Sequence, residues 1–294
     1  MLALMTFFGG SQDAISLNYV NDGLYDLDKL VLVPYFVMVK FLLGISIVFL
    51  VFPSRADFAF KVAYESALQH PYYMGSSTEV LTTMPGAAVE MIKLLETKIP
   101  GMRVEFSRYP WSRCLSELGK GNVDAIFNSS FLEARLKDGA YPRKDGEVDL
   151  TRRLTTISYH FYSLKNSNFS WDGTQVKGLV GKVGTPIGFS IEHDLMNMGI
   201  DVHSALTSQL NFSNLLRGKV DAIAIQAVTG DYHLQRRSGL AAVEKVYPEI
   251  KTKAYYLMIS HQFHNEQPQL TEEIWDEVAV LREKNLSKLI EKYF

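Results

Sequence analysis

The sequence predicts an α/β fold built from two similar units, placed behind a secretory leader. Three observations carry this: an apolar N-terminal run closed by small residues, strand-like and helix-like segments that alternate at the spacing of a parallel sheet, and an internal echo of six residues in one register.

The leader comes first. From Met38 the chain reads Met-Val-Lys, then an apolar run over 41–52, then Pro53-Ser54-Arg55-Ala56. A short basic start, an apolar stretch and small residues at Ser54 and Ala56 are the parts of a signal peptide, so Met38 is the expected start and cleavage is expected after Ala56. Residues 1–56 are then an upstream extension plus leader. Residues 30–52 are apolar apart from Lys40 and long enough to cross a bilayer, which leaves an uncleaved anchor as a second reading.

After the leader, 58–64 is a short aromatic-rich run of strand type. Ala88, Val89, Ile92 and Leu95 share one helical face, and Pro100-Gly101 ends that helix. A strand is expected at 102–106, a short helix at 112–118 and a strand at 123–127. The alternation calls for a mainly parallel sheet with helices on both faces. The echo follows: Leu118, Gly121, Val123, Asp124, Ala125 and Ile126 recur as Leu215, Gly218, Val220, Asp221, Ala222 and Ile223. Each copy ends a helix at a glycine and enters a buried strand, although helix-Gly-strand junctions are common enough for chance to compete. A strand over 176–184 and a helix capped by Ser190, with Glu192 in its first turn, lie between the copies. The pattern over 272–293 is helical, with Ile274, Val278, Leu281, Leu286, Leu289 and Ile290 on its apolar faces.

Composition excludes several classes. Lys plus Arg is 30 against 32 Asp plus Glu, a formal charge of −2, so no basic excess exists to neutralise phosphates and nucleic acid is not an expected partner. One cysteine, Cys114, excludes an internal disulfide framework. No Gly-x-Ser-x-Gly elbow, Walker loop or His-Glu-x-x-His occurs, and His261-x-x-His264 lacks a third ligand, so neither an enzyme, a metal nor a cofactor is expected.

Read together, these segments resemble the family 3 extracellular solute-binding proteins of bacterial ABC importers. The resemblance rests on the first strand ending in Glu65, Pro85-Gly86 before the first helix, Val123-Asp124-Ala125-Ile126 followed by Asn128-Ser129-Ser130 and Glu133-Ala134-Arg135, then Tyr141-Pro142, 176–190, the second Val-Asp-Ala-Ile, and the ending 286–294. It implies two Rossmann-like lobes joined by two crossing strands, the type II periplasmic binding protein fold, with lobe one at 57–156 plus 262–294 and lobe two at 157–261. It also implies a periplasmic monomer that closes around a small polar, carboxylate-bearing solute and meets an ABC permease in the inner membrane. A sensing module for a membrane receptor and a periplasmic lyase or dehydratase are the alternatives on the same fold.

The resemblance supplies site residues as well. Arg135 matches the family arginine that grips a carboxylate; otherwise it is a solvated arginine paired with Asp138 or Glu133. Ser190 matches a segment whose backbone amides meet the same anion, and equally fits a plain N-cap. Glu65 matches an acidic position that contacts a ligand amino group, or is an exposed strand end. Asn128, Ser129 and Ser130, with Gln226 and Thr229 in the second unit, stand at the carboxyl ends of strands, where open α/β sheets bind ligands. Gln226 stands where amino-acid binders carry an aspartate for the ammonium, and an amide lacks that charge. Trp111 either stacks on a flat ligand or covers the core, and Tyr72 is a candidate aromatic wall.

Overall fold

The computed structural model describes residues 57–294. The leader, the Met38 start, cleavage after Ala56 and the anchor reading of 30–52 therefore lie outside the described residues. Among the described residues no helix is long and apolar enough to cross a membrane.

The first half runs β1 (Phe58–Glu65), α1 (Ala87–Lys93), β2 (Met102–Tyr109), α2 (Trp111–Gly119) and β3 (Ala125–Ser130). A small hairpin of β4 (Arg143–Lys144) and β5 (Glu147–Val148) precedes the long strand β6 (Thr155–Leu164). The second half has the hairpin β7 (Ser170–Trp171) and β8 (Val176–Lys177), then β9 (Val183–Pro186), α3 (Ser190–Asn197), β10 (Val202–Ala205), α4 (Ser208–Leu216), β11 (Ala222–Gln226) and α5 (Ala227–Arg236). The long strand β12 (Val243–Ile259) returns to the first half, which α6 (His261–Glu266), α7 (Pro268–Leu281) and α8 (Ser287–Glu291) complete.

One eight-stranded sheet results, in the order β10-β9-β11-β6-β12-β3-β1-β2. Each half contributes a parallel triplet with the same internal order: β2-β1-β3 on one side and β10-β9-β11 on the other. Between the triplets lie the two crossing strands, β6 antiparallel to β11 and β12, and β12 antiparallel to β3. The mainly parallel sheet read from the sequence is thus parallel within each half and antiparallel across the middle.

The echo occupies equivalent places. Gly121 and Gly218 adopt φ of 71° and 66°, the left-handed turn that ends each helix. Leu118, Val123 and Ile126 enter a satellite core beside α2, and Leu215, Val220 and Ile223 enter its counterpart beside α4. Ala125 and Ala222 face the large central core instead, as alternation along a strand requires. The paired aspartates fasten neighbouring backbone: Asp124 Oδ2 accepts from Lys61 N of β1 at 2.7 Å, and Asp221 Oδ2 accepts from Val180 N and Gly181 N, just before β9, at 2.8 and 2.6 Å.

Three local readings are corrected. The strand expected over 176–184 is two strands, because Gly178 turns at φ 70° and its Cα passes so near Asn168 that a Cβ would stand 2.0 Å from that carbonyl oxygen. Ser190 does not cap α3; Phe189 holds the N-cap position and the Ser190 hydroxyl bonds elsewhere. The helix expected over 272–293 is α7 and α8, separated by a π turn at Arg282–Leu286.

Candidate ligand-binding site

The carboxyl ends of β1, β3, β9 and β11 converge on the middle of the sheet, where an open α/β architecture leaves a crevice. A narrow, nearly closed cavity lies there, its walls drawn from both halves: Asn128, Ser130 and Arg135 from the first, Phe189, Ser190 and Gln226 from the second. The crossing strands form its floor. Register places Tyr159 of β6 opposite Gln226 and Tyr255 of β12 opposite Ser130, and the two hydroxyls meet at 2.6 Å. A second narrow space adjoins it through Gln69, Tyr73, Phe189 and Gln226 and reaches Glu65.

Arg135 is 4% exposed, and its guanidinium pairs with neither Asp138 nor Glu133. Nη1 donates to Ser130 O at 2.7 Å and to Ser130 Oγ at 3.3 Å, while Nη2 donates to Gly188 O at 2.8 Å in the loop before α3. All these acceptors are neutral. A guanidinium carries five N–H donors, so some remain for another acceptor, and its charge has no carboxylate partner among the described residues. Trp111 lies beneath it, 5.3 Å from the guanidinium carbon to the ring centroid, so Trp111 both packs in the α2 core and forms a cavity wall.

Asn128 takes φ of 55°, a left-handed conformation that asparagine tolerates better than most residues. Its Nδ2 donates to Gln69 Oε1 at 2.9 Å, leaving Oδ1 without a protein partner. Alternation along β3 puts Ser130 on the same side and Ser129 on the other, where Ser129 Oγ meets Tyr141 Oη at 2.7 Å away from the cavity. Gln226 Nε2 donates to Tyr255 Oη at 2.8 Å, and Gln226 Oε1 has no protein partner. Ser190 Oγ meets Ser130 Oγ across the gap at 2.7 Å and accepts from Lys253 Nζ at 2.9 Å.

Glu65 is 6% exposed and lines the adjoining space rather than the first cavity. Burial pushes its carboxyl up to about 7, against the opposing pull of the Ala67 and Trp111 backbone N–H groups and of Arg108. Tyr72 does not line either space: it is buried in the core with its hydroxyl accepting from Thr155 Oγ1 at 3.2 Å, and the next residue, Tyr73, lines both. Thr229 reaches the adjoining space, whereas Asp231 holds Tyr162 Oη at 2.8 Å and Lys245 Nζ at 2.8 Å.

Five lining residues escape sequence reasoning, Gln69, Tyr73, Tyr159, Phe189 and Tyr255, and so does Lys253, which bonds Ser190. Gln69 and Tyr73 follow the carboxyl end of β1, a position that could have marked them. The two tyrosines read as core until the register of the crossing strands is known. Away from the cavity the halves also touch where His70 stacks on Tyr232, with ring centroids 4.5 Å apart.

No protein-family model matches the chain, and no curated protein matches its sequence. Solved structures do match. A histidine kinase sensor domain with similarity to periplasmic binding proteins is 20% identical with a TM-score of 0.63, covering 81% of this chain and 96% of that one. An ABC uptake transporter substrate-binding protein from Streptococcus pneumoniae with bound histidine is 16% identical at TM-score 0.62, covering 80% and 92%. An ancestral amino acid-binding protein, a precursor of cyclohexadienyl dehydratase, is 16% identical at TM-score 0.60, covering 80% and 95%. The chain has the two-lobed fold of the type II periplasmic binding proteins, which the resemblance in its sequence implied.

Proposed function

We propose that this protein is an exported solute-binding protein that captures a small polar, carboxylate-bearing solute in the periplasm and presents it to an ABC permease. The observation that carries the reading is Arg135: a buried cation between the halves, hydrogen-bonded only to neutral oxygens among the described residues. A carboxylate in that cavity would make charge-assisted, two-point contacts that water provides less well. Asn128 Oδ1 and Gln226 Oε1, both unpaired by protein, offer acceptors for N–H or O–H groups on the same solute.

The lobes in this reading are 57–156 with 262–294, and 157–261. A solute touching Arg135 and Ser130 on one side and Ser190 and Gln226 on the other binds the closed arrangement better than an open one, and so shifts the population toward it. The permease then recognises the closed shape. Because the fold is shared with a kinase sensor domain and a dehydratase precursor, the same cavity also fits a receptor module, and fold leaves the chemistry open.

The test is a thermal-shift screen against amino acids, small carboxylates and oligosaccharides, followed by product analysis. A bound carboxylate at a hundred times its Kd adds about 2.7 kcal/mol to stability, which raises Tm by roughly 5–10 °C for a domain of this size. A candidate solute consumed at a catalytic rate overturns the binding-protein reading in favour of an enzyme. Stabilisation by oligosaccharides alone overturns the carboxylate assignment.

A further inference from the structure

Lys253 sits on the crossing strand β12, opposite Ile157 of β6, and nothing in the sequence marks it. Its ammonium is largely buried and has two partners on α3: it forms an ion pair with Asp194 and donates to Ser190 Oγ at 2.9 Å. Asp194 is held from its other oxygen by Lys251 at 3.0 Å. On the far side of the Ser130–Ser190 contact, Arg135 Nη1 donates to Ser130 Oγ at 3.3 Å. Two cations therefore flank a pair of serine hydroxyls.

Counting donors and lone pairs fixes what that pair can offer. Ammonium and guanidinium groups donate and never accept. Ser190 Oγ must accept from Lys253, and Ser130 Oγ must accept from Arg135. The bond between the two serines uses one hydroxyl proton, whichever serine supplies it. One O–H is left over in either order: on Ser130 it has the Tyr255 hydroxyl as a partner, and on Ser190 it is available to the cavity that both hydroxyls line.

We propose that Lys253 is a positioning residue that makes this end of the cavity a donor site and so sets its preference for an anionic group over a neutral one. It acts through Ser190 and the charge it places behind that hydroxyl, and it has no need to touch the solute. This deepens the solute-binding reading and rests on it. Without Lys253, Ser190 Oγ regains a free lone pair, Asp194 loses one of its two cations, and the cavity end accepts a neutral amide as well as it accepts a carboxylate.

The experiment uses acetate and acetamide, near-isosteric probes that differ in charge and donor count, titrated into the protein while backbone amide NMR signals of Ser130 and Ser190 are followed. Wild type is expected to bind acetate more tightly than acetamide. Lys253→Met should weaken acetate about tenfold, roughly 1.4 kcal/mol, with acetamide unchanged, and Lys253→Arg should restore the preference. A Lys253→Met protein that retains the wild-type acetate-to-acetamide ratio overturns the assignment. If that variant loses its cooperative melting transition, Ser190→Ala decides instead: it keeps the Lys253–Asp194 pair, and an unchanged ratio there overturns the assignment equally. Wild type that ignores acetate contradicts the underlying anion-binding reading, and the assignment falls with it. Wild type that binds acetate beside a Met variant that binds it equally contradicts Lys253 alone.

Discussion

Beside α2, Leu118, Val123 and Ile126 pack a small core and Asp124 clasps the backbone of β1; beside α4, Leu215, Val220 and Ile223 pack its counterpart and Asp221 clasps the backbone before β9. Beyond these residues the halves diverge. The first strand ends in Asn128, Ser129 and Ser130 with Arg135 close behind, whereas the second ends in Ala224, Ile225 and Gln226 and runs directly into α5. Every repeated residue builds the framework, and the cavity is lined by residues outside the repeat. One half therefore brings the cation, and the other brings an amide and a helix start.

The largest expected effect tests the equivalence of the frameworks. Leu118→Ala and Leu215→Ala each remove a fully buried side chain and should each cost about 2–5 kcal/mol, read from denaturant midpoints. The two costs should agree within about 1 kcal/mol. A loss confined to one of them breaks the equivalence.

A smaller effect belongs to the cavity side of the first half, where Glu65 has no counterpart in the echo. Its folded-state pKa of about 7 stands above the ordinary carboxyl value of 4.5, so the folded state holds the proton more tightly than the unfolded chain. That contribution is fully present below about pH 4.5 and is lost as pH rises to about 7. Glu65→Gln should flatten this decline, matching wild type near pH 4 and exceeding it by on the order of 3 kcal/mol at pH 8. His233 of α5, which with Glu65 lines a further space outside the cavity, is pulled down to about 4 by burial and acts in the opposite sense, its contribution being lost as pH falls from about 6.5 to 4. Unchanged pH dependence in the Gln variant would remove Glu65 from this account.

The smallest effect sharpens the repeat. Asp124→Ala and Asp221→Ala each release backbone N–H groups from a carboxylate and should cost about 1–2 kcal/mol apiece, with ligand affinity unaltered. Weakened binding by either variant would mean that the aspartates serve the site as well as the frame.

What was legible in the sequence follows the same division. The echo could be read because helix, left-handed glycine and buried strand are consecutive in the chain, so local residues alone dictate them. The crossing strands were known only through the resemblance, since β6 and β12 mix aromatic, charged and small residues and become strands by pairing across the sheet. That same pairing brings Tyr159 and Tyr255 to the cavity and Lys253 to the Ser190 hydroxyl behind it, which explains why none of them stood out. Tyr72 and Tyr73 differ by one position in a loop without periodicity, and only the fold decides which one faces inward. Gly178 was hidden inside an apolar run whose composition suited a single strand.

The most direct measurement is isothermal titration of wild type and Arg135→Ala with whichever carboxylate stabilises the protein in the thermal screen. Loss of the buried guanidinium should weaken that carboxylate about a hundredfold, roughly 2.7 kcal/mol, while Arg135→Lys recovers only part of it because a point charge cannot make the two-point contact. An Arg135→Ala protein that binds the carboxylate as tightly as wild type would contradict the claim that this cation, set between the two halves, is what holds the solute.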